Sequence, residues 1–294
     1  MANPALYRGM DADTLEAQYN IRAAVPEHPA YFEGWRRRSA TARLMRPGRL
    51  GQRFGPEPRQ TMDVFVPSRA ELRPRPMVVF VHGGYWQAMD KAHFSYIAPP
   101  FVDQGVPVAV IGYTLCPDID MDGMIAQIRA AVAWLAANRG ALGTGDGDLV
   151  MCGHSAGGHL AAMMALTDWT QWGLAQSPVS AIVAISGVFD LDPIRHTSLN
   201  TKLGLTAETA RRASPHHLLA TVPPPADCPL LAAVGGTESS EFHRQQADFV
   251  TAWRQGGGRA DTCQLPGCNH FDAVDTLADP HSPLYQAVLD RASP

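Results

Sequence analysis

Seven short apolar runs recur between residues 61 and 267, and segments of helical periodicity separate most of them. This alternation constrains the fold more than any other feature. The runs are TMDVFVP (61–67), MVVFVHGG (77–84), VPVAVIGYT (106–114), GDLVMCGHS (147–155), SAIVAISGVFD (180–190), CPLLAAVGG (228–236) and ADTCQLPG (260–267). Most are short, rich in Val, Ile and Ala and bounded by Gly or Pro, which predicts buried strands. Between them, MDGMIAQIRAAVAWLAANRG repeats apolar residues at helical spacing (Met124, Ile125, Ile128, Val132, Leu135) before a Gly stop. AGGHLAAMMAL, SEFHRQQADFVTAWRQGGG and SPLYQAVLDRA also predict helices. Repeated strand, helix, strand order implies an α/β fold, with a mainly parallel central sheet and helices on both faces.

Two regions break the alternation. Residues 1 to about 55 carry helical patches interrupted by VPEHP and RPGRLGQRFGPEP, and are read as an N-terminal arm that caps the domain formed by 56–294. Residues 191–222 read as an irregular, partly helical insertion, which could also lie over the sheet. VPPPAD (222–227) reads as a rigid connector, and no internal repeat is present.

The chain has 294 residues, 46% hydrophobic and 18% charged, enough for one large core. A formal net charge of −4 leaves no footprint for nucleic acid, and no apolar run reaches the ~18–20 residues of a membrane span. Arg36, Arg37 and Arg38 read as a solvated face. The first twenty residues carry acids and no apolar core segment, so a secretory signal is not expected and the cytoplasm is the expected compartment. Cys116, Cys152, Cys228, Cys263 and Cys268 are odd in number and lack metal-type CxxC spacing, so reduced thiols are expected, with neither metal nor cofactor.

Chemistry enters at Gly153-His154-Ser155-Ala156-Gly157. This G-x-S-x-G follows an apolar run and opens a helical one, the setting in which a sharp turn holds a serine Oγ above a sheet. An acyl-transfer serine generates an oxyanion that needs backbone N–H donors. Ala156 supplies one; Gly83, Gly84 and Tyr85, after the second apolar run, are candidates for the others. A hydroxyl also needs a base, and in an α/β-hydrolase the order is Ser, acid, His, with His after the last strand. His270 in LPGCNHFDAV occupies that position, whereas His82, His154 and His159 read as structural. Glu238, directly after the sixth run, is favoured as the acid; Asp190, closing the fifth, is its rival. Tyr85, Trp86 and Phe271 adjoin these residues and are candidate aromatic walls for a substrate, unless Trp86 and Phe271 turn into the core.

HGGYWQ (82–87), CGHSAGGHLAAM (152–163), SGVFDL (186–191), SP (214–215), SSEFHRQ (239–245) and NHFD (269–272) together resemble kynurenine formamidase (arylformamidase) of the α/β-hydrolase superfamily. The resemblance spans about residues 77–275. It implies an α/β-hydrolase fold, a triad of Ser155, the acid just before SSEFHRQ and His270, and an oxyanion loop at HGGYW. The sequence departs at the acid, where the family carries Asp and this chain has Glu238. The expected substrate is a small ester or N-acyl arylamine, with N-formylkynurenine foremost. A general short-chain carboxylesterase and a non-catalytic binding protein of the same fold are the alternatives. The residues leave the assembly state open, a homodimer included.

Overall fold

The computed structural model describes residues 5–46, 48–68 and 75–293. Eight strands form one sheet: β1 (Arg49–Arg53), β2 (Thr61–Phe65), β3 (Met77–Val81), β4 (Val108–Ile111), β5 (Leu149–His154), β6 (Val179–Ile185), β7 (Leu230–Gly235) and β8 (Ala260–Leu265). Their spatial order is β1-β2-β4-β3-β5-β6-β7-β8. The β1–β2 and β2–β4 pairs are antiparallel, and every later pair is parallel. Seven of these strands fall on the seven apolar runs. β1 falls inside the stretch read as arm, because RLGQR is polar and largely exposed at the sheet edge and carries no hydrophobic period.

The helices are α1 (Ala12–Tyr19), α2 (Ile21–Ala24), α3 (His28–Met45), α4 (Ala98–Val102), α5 (Met121–Leu142), α6 (Ala156–Ala165), α7 (Asn200–Leu203), α8 (Ala207–Arg212), α9 (Pro215–Leu218), α10 (Ser240–Gln255) and α11 (Pro283–Arg291). Side-chain alternation divides the core between the sheet's two faces. Met77, Val79 and Val81 of β3 join the cluster containing α5, α6 and α10, whereas Val78 and Phe80 join the one containing α4 and α11. Both faces are therefore apolar, which is why the central strands read as unbroken hydrophobic runs. α5 starts at the Asp120 side chain, which accepts from the Gly123 N–H, and stops at Gly143 in the left-handed region.

The arm is fastened by buried polar contacts as well as apolar ones. Tyr19 donates to Glu241 at 2.9 Å and accepts from Gln245 at 3.0 Å, both on α10. Trp35 of α3 donates from Nε1 to Asp275 at 2.8 Å. The end of the arm is organised by Asp63 of β2, a buried carboxylate that accepts from Arg43, Lys91 and the Gly51 N–H at 2.7, 2.6 and 2.9 Å. Burial opposes its ionisation, but these donors outweigh that and hold its pKa below the ordinary value. The insertion expected at 191–222 contains α7, α8 and α9 and a 3₁₀ turn at Pro193–His196.

Candidate active site

β5 delivers the chain into the turn at Ser155, and α6 begins one residue later. Ser155 has φ 56° and ψ −120°, a strained conformation for a residue with a side chain. The turn is tight enough that a Cβ on Gly153 would strike the backbone of Gly157, and one on Gly157 would strike Val81. This accounts for both glycines of the motif. The Ser155 hydroxyl is thereby held at the end of the sheet, 1% of the residue exposed, with no hydrogen bond to any group among the described residues.

His270, on the loop after β8, places Nδ1 2.6 Å from Glu238 Oε2. A carboxylate at that distance fixes the ring proton on Nδ1 and leaves Nε2 as the lone-pair nitrogen. Among the described residues Nε2 is buried and without a hydrogen-bond partner, as is Ser155 Oγ, and both residues line the same cavity of about 220 Å³. Glu238 is itself held on its other oxygen, which accepts from the Gly235 N–H at 2.7 Å and from the Ser186 hydroxyl at 2.5 Å. Ser186 adopts φ 50° directly after β6. Sequence reasoning passed over Ser186, although a Ser-Gly pair closing an apolar run was the available signal.

Asp190, the rival acid, is engaged elsewhere. Burial would raise its pKa, but donors from His217 Nε2 (3.1 Å), the Asp192 N–H (3.0 Å) and the Tyr7 hydroxyl (2.8 Å) bring it down to about 2. It fastens the arm and the insertion to the domain and is not the partner of His270.

Gly83 packs on the elbow so closely that a Cβ there would meet the His154 carbonyl and Ser155 Cβ. Gly84 (φ 112°), Tyr85 (φ 48°) and Trp86 (φ 58°) continue in the left-handed region. The Gly84, Tyr85 and Ala156 N–H groups make no hydrogen bond within the described residues. Free backbone donors on two sides of a serine form a site for an oxyanion.

Of the expected aromatic walls, Tyr85 and Phe271 line the cavity and Trp86 does not. Trp86 is fully buried on the other side of its backbone, where Nε1 donates to His159 Nδ1 at 3.2 Å. His159 then donates from Nε2 to the Ala213 carbonyl at 2.6 Å. The positive φ of Trp86 turns its ring under the loop, so the indole locks the loop to α6 instead of facing a substrate. The remaining rings come from residues sequence reasoning did not connect to the site: Tyr19, Phe32 and Trp35 of the arm, and Phe94. Phe271 meets His28 and Tyr31 in near-parallel stacks at 5.9 and 5.8 Å and Phe32 edge-on at 5.4 Å. His82 and His154 are buried, as expected of structural histidines, and His154 Nε2 donates to the His270 carbonyl at 2.9 Å.

A kynurenine formamidase from Danio rerio is 32% identical to this chain over 96% of it and 97% of the relative. The chain belongs to the kynurenine formamidase family of α/β-hydrolases. A BD-FAE family model also matches residues 62–224. In solved structures, a candidate thioesterase from Silicibacter sp. TM1040 superposes with a TM-score of 0.80 at 31% identity, covering 95% of this chain and 98% of that one. Esterase B from Lactobacillus rhamnosis superposes with a TM-score of 0.70 at 18% identity over 95% and 93%, which reflects the shared fold. Membership makes the protein a hydrolase of the ester and formamide type. Among the described residues no helix is long and apolar enough to cross a membrane.

Proposed function

We propose that the protein deformylates an N-formyl arylamine, with N-formylkynurenine as the leading substrate, through a triad of Ser155, His270 and Glu238. The observation that carries this reading is the pair of buried, unpartnered atoms, Ser155 Oγ and His270 Nε2, at one cavity whose walls are aromatic. Ser155 Oγ attacks the formyl carbon while His270 Nε2 takes its proton. The oxyanion is stabilised by the N–H groups of Gly84, Tyr85 and Ala156, with Gly83 giving the loop its close approach. Collapse of the tetrahedral intermediate expels the arylamine, protonated by His270. Water then attacks the formyl-enzyme with the same base, and formate leaves. Glu238 holds the imidazole in the required tautomer and stabilises its charged form.

The family name of the relatives supports the formyl group, and the rings support a flat leaving group. The five free cysteines support the cytoplasm as its compartment. The test is a substrate panel: N-formylkynurenine beside p-nitrophenyl esters from C2 to C8. kcat/KM is expected to be highest for formyl and acetyl groups and to fall by tens to hundreds of fold at longer chains, since each misfitted methylene costs about 1–3 kcal/mol. An optimum at C6 or beyond, with no formamide cleavage, would replace this reading with a general carboxylesterase.

A further inference from the structure

Glu238 is held from two sides. Oε2 accepts from His270 Nδ1 at 2.6 Å, while Oε1 accepts from the Gly235 N–H at 2.7 Å and the Ser186 hydroxyl at 2.5 Å. The bond from Gly235 closes within a single turn, between residues three apart. The bond from Ser186 crosses between strands. β6 and β7 run in parallel with Ile185 opposite Ala233, and the Ser186 N–H donates to the Ala233 carbonyl at 2.8 Å. One residue past β6, the serine thus stands beside the loop that carries Glu238.

The conformation of Ser186 argues for a role beyond packing. At φ 50° a glycine would sit with less strain, so what a serine adds at this position is its hydroxyl. Ser186 is 2% exposed and the Glu238 side chain 1%, so bulk water does not compete for the carboxylate. A glutamate also reaches its histidine through one more rotatable bond than an aspartate, and that freedom must be removed if the carboxylate is to hold one plane. We infer that Ser186 is a positioning residue for catalysis. Its hydroxyl clamps Oε1, fixes the carboxylate against His270 Nδ1, and stabilises the charged form of Glu238, so that the Nδ1 proton stays on the ring while Nε2 takes the proton of Ser155. This rests on the triad reading of Ser155, His270 and Glu238.

The test uses the full chain with p-nitrophenyl acetate, so it does not depend on the formamide substrate. Ser186→Gly removes the hydroxyl and relieves the backbone, whereas Ser186→Ala removes the hydroxyl and keeps the strain. Both are expected to lower kcat by about tenfold to a hundredfold, the range for one hydrogen bond to a charged group. KM is expected to stay within about twofold, because Ser186 is not among the residues lining the cavity and His270 serves both halves of the reaction. The urea midpoint of the glycine variant should equal or exceed that of the alanine variant. In a Glu238→Gln background, where no charged carboxylate remains to be held, adding Ser186→Gly should cost less than about twofold more. Full kcat in the glycine variant, or an equal loss in both backgrounds, would overturn the clamp. Ser155→Ala tests the triad separately: if that variant stays active, the triad reading fails and the clamp with it. If it is inactive while Ser186→Gly keeps its kcat, the clamp alone fails.

Discussion

At the scale of single residues, Ser155 and Glu238 make the sharpest claims. Removing the nucleophile leaves only binding and the oxyanion donors, so Ser155→Ala should lower kcat by on the order of 10⁵ to 10⁶. The strained turn is set by Gly153 and Gly157, so the fold should survive the loss of one unpartnered hydroxyl. Glu238→Gln should cost roughly 10² to 10⁴ in kcat, because an amide no longer fixes the proton on His270 Nδ1. Asp190→Asn should spare kcat and act on stability instead, since Asp190 binds Tyr7 and His217. Steady-state kinetics of the two variants side by side decides this. If the Asp190 variant loses the larger share of kcat, the acid has been misplaced. The sequence favoured Glu238, which follows an apolar run, over Asp190 but left the two as rivals. The support of Glu238 by Ser186 was not legible, because that contact joins residues 52 apart in the chain.

At the scale of elements, the arm and the insertion supply much of the cavity wall. α3 lays Trp35 against Phe32, Phe94 and Phe271, with centroid separations of 5.4, 5.2 and 6.2 Å, and ties its indole to Asp275. Trp35→Ala removes a fully packed ring and leaves a cavity, so it should destabilise the protein by about 3–5 kcal/mol in urea denaturation and raise KM for aryl substrates. Trp35→Phe keeps most of the packing and loses the hydrogen bond, at about 1 kcal/mol. Unchanged denaturation of the alanine variant, with only KM affected, would mean that the arm docks as an independent flap. None of this was readable from the arm's own residues. Its helical patches were visible, but their apolar faces could not be assigned to partners some 240 residues away.

At the scale of the whole molecule, three buried neutral histidines set the response to acid. Burial holds His82 and His159 at about 4 and His154 well below its ordinary 6.5. In the unfolded chain each takes up a proton near pH 6.5. Below that pH the unfolded state therefore binds more protons, and native stability falls as pH falls toward 4, by about 1.4 kcal/mol per unit for each such histidine. His217 acts in the opposite sense: its bond to Asp190 raises its pKa, so its contribution is present below pH 6.5 and fades as pH rises through the raised value. It is partly exposed and screened, and does not offset three buried rings. Urea midpoints are expected to be level above pH 7 and to drop steadily from 6.5 to 5. A midpoint that holds or rises over that interval would show that these rings accept protons in the native state.

The sequence by itself determined the sheet and the chemistry at its edge. Burial of the central strands on both faces forces unbroken apolar runs, and the elbow demands glycines where no Cβ fits, so both leave local marks in the chain. The tertiary structure alone decided the edge strand β1, whose polar residues face solvent and follow no hydrophobic period. It also decided the direction of Trp86, which depends on the backbone twist of one loop, and the pairing of His270 with Glu238 instead of Asp190. The walls of the cavity belong with these, because they are assembled from the arm, the insertion and the loop after β8. Contacts between residues so far apart in sequence are fixed by how finished elements pack, and a side chain carries no local sign of which distant surface it will meet.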